Sequence, residues 1–372
     1  MFSLNIVFMG TPEIAAESLA RILELQKLNV INLKSVYTKP PVWNNKRKES
    51  VISPVHKLAL EHNINVRTPE SLKNNTAEAD FLKSSDVDLI IVVAFGLILP
   101  AEILNIPKYG ALNLHPSLLP DLRGPSPIHY AILKRIKFTG VSIMALDAGV
   151  DTGPLIAQQR IDIGKNEYYQ SLYEKSSLSG ALLLAEVIKT IFKFKVNVHE
   201  CGFPQNLTDA DSLTLTKLIG SDELKVDFFT DEPIEIYAKA RALSESGGAF
   251  FIFKGKKVKI IEAGLITENE ELKEKCFDGA DSLKFDYCDY ADYKPENEDN
   301  NKLMGLNNET NNETNGLMPG VIVSANKTGL LVSTVKKGVY IKLLKLKPEG
   351  KNIINYADFI NGYRIKPGDI CR

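Results

Sequence analysis

The 372-residue sequence predicts an α/β protein: a doubly wound, mostly parallel sheet followed by a second, C-terminal β-barrel domain. Three observations carry that expectation. Short apolar runs, most clearly 4–9 and 87–94, alternate with stretches of helical period over the first 200 residues, the pattern of β–α–β units. After a polar stretch at 201–217 the pattern changes to several short strands with glycine turns, as in a small barrel. The length suffices for two domains with separate cores, and 44% hydrophobic against 24% charged residues fits folded globular units.

Residues 4–9 read as a buried strand that Gly10 ends; Thr11 can cap the next helix and Pro12 suits its first turn, which predicts a helix over 12–26. The single glycine of this turn, in place of G-x-G-x-x-G, argues against a dinucleotide site. A strand at 30–38 leads into a loop at 39–50, and Ser53-Pro-Val-His56 opens a helix ending near Asn63. The run 87–94, apolar except at its start, reads as a central parallel strand covered on both faces. A strand from 110, another at 141–146 and a long helix at 168–194 close the domain, whose ligand belongs at the carboxyl ends of the strands. Beyond the linker at 201–217, a helix at 234–243 precedes strands at 249–253, 258–263, 321–324, 330–333 and 340–346.

The formal net charge of −1 gives no global pull towards nucleic acid, so any such binding must come from local patches. The charge is unevenly spread. Residues 266–315 hold 14 acidic residues against 5 lysines and end in a repeated Asn-Asn-Glu-Thr, which reads as a low-complexity surface insertion. The last 54 residues hold 10 Lys or Arg against 3 acidic residues, a basic barrel suited to a polyanion. Cys201, Cys276, Cys288 and Cys371 lack C-x-x-C spacing and read as reduced thiols, with no metal. No cleavable leader precedes the first strand and no run reaches membrane length, so a cytoplasmic protein without membrane contact is expected. The sequons at Asn206, Asn308 and Asn312 then carry no glycan.

One stretch carries chemistry. The strand from Gly110 puts Asn113 and His115 two residues apart, on one face. Pro116 to Pro120 cannot continue the strand, because proline fixes φ and removes a donor. Asp151 follows 36 residues after His115, in Asp-Ala-Gly-Val-Asp-Thr-Gly at 147–153, a loop after a strand. An amide, an imidazole and a carboxylate at strand ends offer an oxyanion donor, a proton carrier and a group that orients the carrier. Singly, Asn113 also suits a turn, Asp151 a cap and His115 a buried hydrogen bond; the three together favour acyl transfer. His129, on a helix after Pro127, reads as structural, and His56, His62 and His199 as solvated.

Asn-Leu-His-Pro-Ser-Leu-Leu-Pro at 113–120 followed by the 147–153 motif resembles the 10-formyltetrahydrofolate-dependent formyltransferases. The resemblance begins at Phe-Met-Gly-Thr-Pro-Glu (8–13), continues through Ala-Phe-Gly-Leu-Ile-Leu-Pro (94–100), resumes at Pro-Gly-Val-Ile-Val (319–323) and leaves out only about residues 266–316. It implies a Rossmann-like catalytic domain over 1–200, the linker 201–217, and an OB-like barrel over 218–372. It also implies 10-formyltetrahydrofolate as co-substrate, without a metal. Asn113 and protonated His115 would steady the oxyanion, while Asp151 would hold the charged imidazole and order a water that relays the proton. Phe95, Leu97, Ile98 and Leu99 would line the pterin pocket with Ser117, Leu118, Leu119 and Pro120, and Asp147 and Gly149 would close its other side. The run 95–100 also fits the end of a buried strand and a helix start, and both readings can hold together.

The same triplet is shared with formyltransferases of purines and of nucleotide sugars, so it specifies the chemistry more than the acceptor. The resemblance over the whole chain, with the basic barrel, implies initiator methionyl-tRNA as the partner of a monomeric enzyme. Loop 39–50 is the sharpest acceptor-side signal, with Trp43 (the only tryptophan) beside Lys46, Arg47 and Lys48. In the members of the family that formylate tRNA this loop is rich in Gly and Arg and enters the acceptor stem. Here Asn44-Asn45 stands where a small residue and glycine are usual, Lys46 where there is a key arginine, and Trp43 where there is a small residue or proline. Trp43 could stack on an end base with the basic triplet on phosphates, or plug the core beneath a solvated loop. A second departure is Arg-Ala-Leu-Ser-Glu-Ser-Gly-Gly-Ala-Phe at 241–250, where the family more often has Asn-Pro and an aromatic residue. Two rivals remain: a formyltransferase of a nucleotide-linked amino sugar, which needs no basic barrel, and an RNA-binding protein whose first domain has lost activity. An intact Asn113/His115/Asp151 set argues against the latter.

Overall fold

A computed structural model describes residues 3–45, 48–205, 214–245, 247–267, 318–327 and 329–372. Lys46, Arg47, the three sequon asparagines, Cys276, Cys288 and nearly all of the acidic insertion lie outside the described residues. The chain divides into two compact units, Met1–Ile219 and Gly220–Arg372.

The first unit opens with β1 (Leu4–Gly10), α1 (Glu13–Lys27) and β2 (Ile31–Tyr37), followed by two short strands, β3 (Val42–Asn44) and β4 (Glu49–Val51). Next come α2 (Pro54–Glu61), β5 (Val66–Arg67), α3 (Thr76–Ser84), β6 (Leu89–Val93), α4 (Ala101–Leu104) and β7 (Ala111–His115). The unit ends with α5 (Pro127–Leu133), β8 (Phe138–Ala145), β9 (Leu155–Asp162), α6 (Tyr169–Phe194) and α7 (Val198–Cys201). The sheet order is β5-β2-β1-β6-β7-β8-β9, parallel as far as β7. All five residues of β6 are buried, because helices cover both faces of this central strand.

Alternation along the strands separates two cores. Ile6, Phe8, Ile91, Leu112 and Leu114 pack against the apolar stripe of α1 (Ile14, Ala15, Leu19, Ile22) and against α6. On the other face, Val7, Ile90, Val92 and Ala111 pack with Phe95 and Ile103. Helix α6 lies close to β7 because Gly180 leaves room for Leu114; an added Cβ would fall 2.7 Å from Leu114 Cδ1.

Three features differ from expectation. Thr11 does not cap α1, whose N-cap is Pro12; its hydroxyl donates instead to Phe95 O at 3.0 Å and ties the first turn to the end of β6. β8 and β9 run antiparallel, and β9 was not expected at all. Its Gln158-Gln159-Arg160 stretch is exposed at the sheet edge, where one-sided burial leaves little apolar signal. His56 is half-buried, with a buried Nδ1, rather than solvated.

The second unit begins with α8 (Ser221–Leu224) and α9 (Pro233–Leu243), then β10 (Ala249–Phe253), β11 (Lys256–Thr267), β12 (Ile322–Asn326) and β13 (Gly329–Ser333). It closes with β14 (Val339–Pro348), β15 (Ile354–Asn355) and α10 (Tyr356–Tyr363). The antiparallel order is β10-β11-β14-β13-β12, with β15 on β14. Its core is aromatic: Phe228 meets Phe251 edge-on at 5.7 Å, and Phe253 packs on Phe359. Helix α10 is an addition to the expected strands, capped by Asn355, whose side chain accepts from Asp358 N at 2.8 Å. Burial pushes the Cys371 thiol up, which keeps it protonated and inert. Among the described residues no helix is long and apolar enough to cross a membrane, and no cluster of three His, Cys, Asp or Glu could hold a metal.

Candidate active site

Asn113 and His115 leave β7 on the same face, as alternation requires, and His115 is its last residue. Asp151 reaches them by a less direct route. Because β8 is antiparallel to β7, its loop starts beside Ala111, where Leu146 N donates to Ala111 O at 2.8 Å. The loop then folds back along β7 until Asp151 Oδ2 lies 3.6 Å from His115 Nδ1. The His115 side chain is only 6% exposed. Its Nε2 is 3.0 Å from Leu122 O, and a carbonyl can only accept, so Nε2 carries the proton and Nδ1 faces the carboxylate. Gly124 N donates to the same Asp151 Oδ2 at 2.9 Å. Asn113 is half-buried, and its side-chain amide has no hydrogen bond among the described residues.

Any other residue would be strained at Gly124. Its φ is +106°, and a Cβ would fall 2.6 Å from Thr216 O. Thr216 N in turn donates to Arg123 O at 2.8 Å, and Thr216 Oγ1 accepts from Ser126 N at 3.2 Å. The stretch read as a linker thus frames the site. Gln205 and Arg123 also belong to this frame and were missed, because an amide in a polar connector carries no periodic signal.

The residues expected around a pterin divide into two groups. Leu97 and Leu99 are half-buried against the core cluster that Leu146 also joins, which brings the 95–100 and 147–151 segments to one place. Ile98 is 88% exposed, as is Val150 at 73%. Phe95, Ser117 and Leu119, however, are interior. Ser117 Oγ donates to Asp121 O at 2.7 Å, and Leu119 N donates to Ser142 Oγ at 3.1 Å, so these residues brace the loop from beneath. Leu118 and Pro120 are half-buried in the same turn, whose Leu119–Pro120 peptide is cis. Asp147 Oδ1 accepts from Gly149 N at 3.0 Å and from Thr152 Oγ1 at 2.8 Å, which shapes the loop.

The other face of the same strand edge holds a cleft of about 960 Å³, with Leu114 and Ala94 in its wall. It is lined by the starts of α1 and α5 and the first three turns of α6, including Ile14, Ile128 and Leu178, and by Glu13, Glu17 and Glu174, with no Lys or Arg among the described residues. His129, read as structural, belongs to this wall. It stacks on Tyr169 at 4.1 Å between centroids, and burial holds its pKa down to about 4, so it is neutral near pH 7. Tyr173 Oη accepts from Ile14 N at 2.9 Å, satisfying an amide of α1 that Pro12 cannot cap.

The segment expected as a loop at 39–50 contains an antiparallel hairpin, with Val42 opposite Val51 and Trp43 opposite Ser50. Val42 is 70% and Trp43 60% exposed, so Trp43 does not plug the core. Thr38 Oγ1 and Ser53 Oγ, 2.6 Å apart, clamp the base of the hairpin. Lys48 lies in the turn with φ +52°.

The Formyl transferase family model matches residues 4–188, and the Formyl transferase, C-terminal domain model matches 218–283 and 287–364. By fold and class the protein is a formyltransferase, an enzyme of one-carbon transfer. The methionyl-tRNA formyltransferase of Caldicellulosiruptor saccharolyticus is 36% identical over 99% of both chains, and that of Ehrlichia chaffeensis 33% identical over 99% of this chain and all of its own. The chain belongs to the methionyl-tRNA formyltransferase family. Its fold is also that of an N-formyltransferase from Helicobacter canadensis solved with folinic acid and dTDP-3-aminofucose (TM-score 0.55, 21% identity, 91% of this chain and 98% of that one).

Proposed function

We propose that the protein transfers the formyl group of 10-formyltetrahydrofolate to the α-amino group of methionine on initiator methionyl-tRNA, for translation initiation. The observation that carries this reading is the strand edge at His115, where the Asp151 carboxylate meets Nδ1 at 3.6 Å and the Asn113 amide stands unpartnered. The amine nitrogen attacks the formyl carbon and its carbonyl becomes an oxyanion. The Asn113 amide donates to that oxyanion, and so does His115 through Nδ1 when that nitrogen carries a proton, Nε2–H being held by Leu122 O; one such donor is worth about 10²–10³ in rate. A water held at Asp151 takes the proton from the amine and delivers it to N10 as the carbon–N10 bond breaks, leaving tetrahydrofolate and N-formyl-methionyl-tRNA.

The two substrates approach from opposite faces of the strand edge. The donor's ring suits the side with Leu97, Ile98 and Leu99, where the apolar walls of the 95–100 segment share a cluster with Leu146, at the start of the 147–151 loop. The acceptor suits the cleft on the other face. Its apolar wall fits a thioether side chain, and the carboxylates of Glu13 and Glu174 favour an amine over phosphate, while Glu17 faces Arg21 at 3.6 Å. That lining weighs against a nucleotide-linked amino sugar, whose diphosphate needs cations.

The tRNA body is held elsewhere. Trp43 is exposed for stacking on an end base and Lys48 is exposed for phosphate contact; Lys46 and Arg47 share that role from their place in the sequence. The catalytic domain spans 1–200 and the tRNA-binding domain 218–372, with 201–217 between them. We read the second domain as a closed OB-like barrel. In support, Arg372 N donates to Ile252 O and Cys371 N to Gly320 O, both at 2.8 Å, so the C-terminal segment joins β10 to the start of β12. The enzyme acts as a monomer. The test is transfer of labelled formyl from 10-formyltetrahydrofolate, with initiator Met-tRNA and an amino-sugar nucleotide offered side by side. Label on the tRNA alone is expected; label on the sugar alone, or on neither, overturns the reading.

A further inference from the structure

Gln205 lies in the connecting stretch, and the mechanism above gives it no part. Its hydrogen bonds are fully committed. Nε2 donates to Asp151 O at 2.9 Å and to Gly153 O at 2.8 Å, while Oε1 accepts from Arg123 Nε at 3.1 Å and Nη2 at 2.6 Å. A primary amide is the side chain that can donate twice to carbonyls and accept from a guanidinium; a carboxylate cannot donate and an ammonium cannot accept. The entry of this residue is set by paired main-chain bonds between Leu155 and Phe203, at 2.7 and 2.8 Å.

The segments it joins are the two that hold the carboxylate. Asp151 has a left-handed φ of +53°, a conformation the surroundings must impose on a non-glycine residue. Gly124, next to Arg123, donates its N–H to the Asp151 side chain at 2.9 Å. One bond therefore acts on the carboxylate, and the amide of Gln205 acts on the main chain that carries it. We propose that Gln205, braced by Arg123, is a positioning residue for formyl transfer: it holds the Asp151 main chain so that the carboxylate faces His115 Nδ1. This role rests on the proposed function, since it acts only through Asp151. A reacting group displaced by about 1 Å can lose about 10²-fold in rate.

A double-mutant cycle on the full-length enzyme tests it, using Gln205→Ala with and without Asp151→Asn and measuring kcat and KM for initiator Met-tRNA and for the formyl donor. Gln205→Ala alone should lower kcat by about tenfold or more with both KM values within about threefold, and in the Asp151→Asn background its further cost should be under about threefold. A smaller loss, a loss expressed in KM, or the same loss in both backgrounds overturns the positioning role. Gln205→Glu, which keeps the shape and the bond to Arg123 but cannot donate to the two carbonyls, should behave as Gln205→Ala and serves if the alanine variant does not fold. Failure of the parent enzyme to formylate Met-tRNA, or full activity of Asp151→Asn, would instead overturn the functional reading beneath it.

Discussion

The two faces of the strand edge at Ala111–His115 are built on opposite terms. On one, His115, Asp151 and Gly124 are held by named hydrogen bonds, and Leu122 and Asp151 have left-handed backbones. On the other, a cleft of about 960 Å³ has apolar walls, aromatic rings and carboxylates. The contrast shows where geometry matters. Donors aimed at developing charge must be fixed before the reaction, because their benefit lies in not having to reorganise. The face proposed above for one end of a large, flexible substrate needs shape and charge sign, and tolerates looser packing.

The largest effect should come from the polar face. His115→Ala should cut turnover by at least about a hundredfold while tRNA affinity changes little, read from steady-state kinetics beside a filter-binding titration. Near-normal turnover would remove the imidazole from the reaction. Next, Gly124→Ala places a Cβ 2.6 Å from Thr216 O at a φ of +106°, so it should lower unfolding free energy by about 2 kcal/mol and reduce kcat as well. An unchanged denaturation midpoint would mean that the frame yields more easily than its bonds suggest. The third effect, absent at neutral pH, belongs to the cleft. Burial holds the His129 pKa to about 4 against 6.5 when unfolded, so between these values the unfolded chain binds a proton that the folded one does not. Stability from this residue is therefore complete above about pH 6.5 and lost as pH falls, by roughly 2 kcal/mol near pH 4.5. His129→Phe should flatten that part of the curve, measured as unfolding free energy at pH 7.5 and 4.5. Equal acid sensitivity in both proteins would place the titration elsewhere.

The parts legible in advance share one property: their signal is local. The buried runs of β1 and β6 announce themselves as unbroken apolar stretches, and α6 shows a long helical period. Asn113 and His115 share a face because strand alternation guarantees it, and Ser53 caps α2 as its place before Pro54 suggests. Sequence reading fails where the signal depends on an environment not yet formed. β9 is polar because it is an edge, and Trp43 could be placed inside or outside until the hairpin left it 60% exposed.

The sequence by itself determined that a β-strand would end in an amide and an imidazole on one side, followed by a glycine-rich carboxylate loop, and that a basic C-terminal part would accompany it. Only the tertiary structure decided which nitrogen of His115 faces Asp151, that Gln205 and Thr216 frame the pair, and that a cation-free cleft lies behind the same strand among the described residues. The reason is physical. Alternation and turn chemistry act between neighbours, whereas hydrogen bonds between residues 54 and 93 positions apart exist only once the chain has closed on itself.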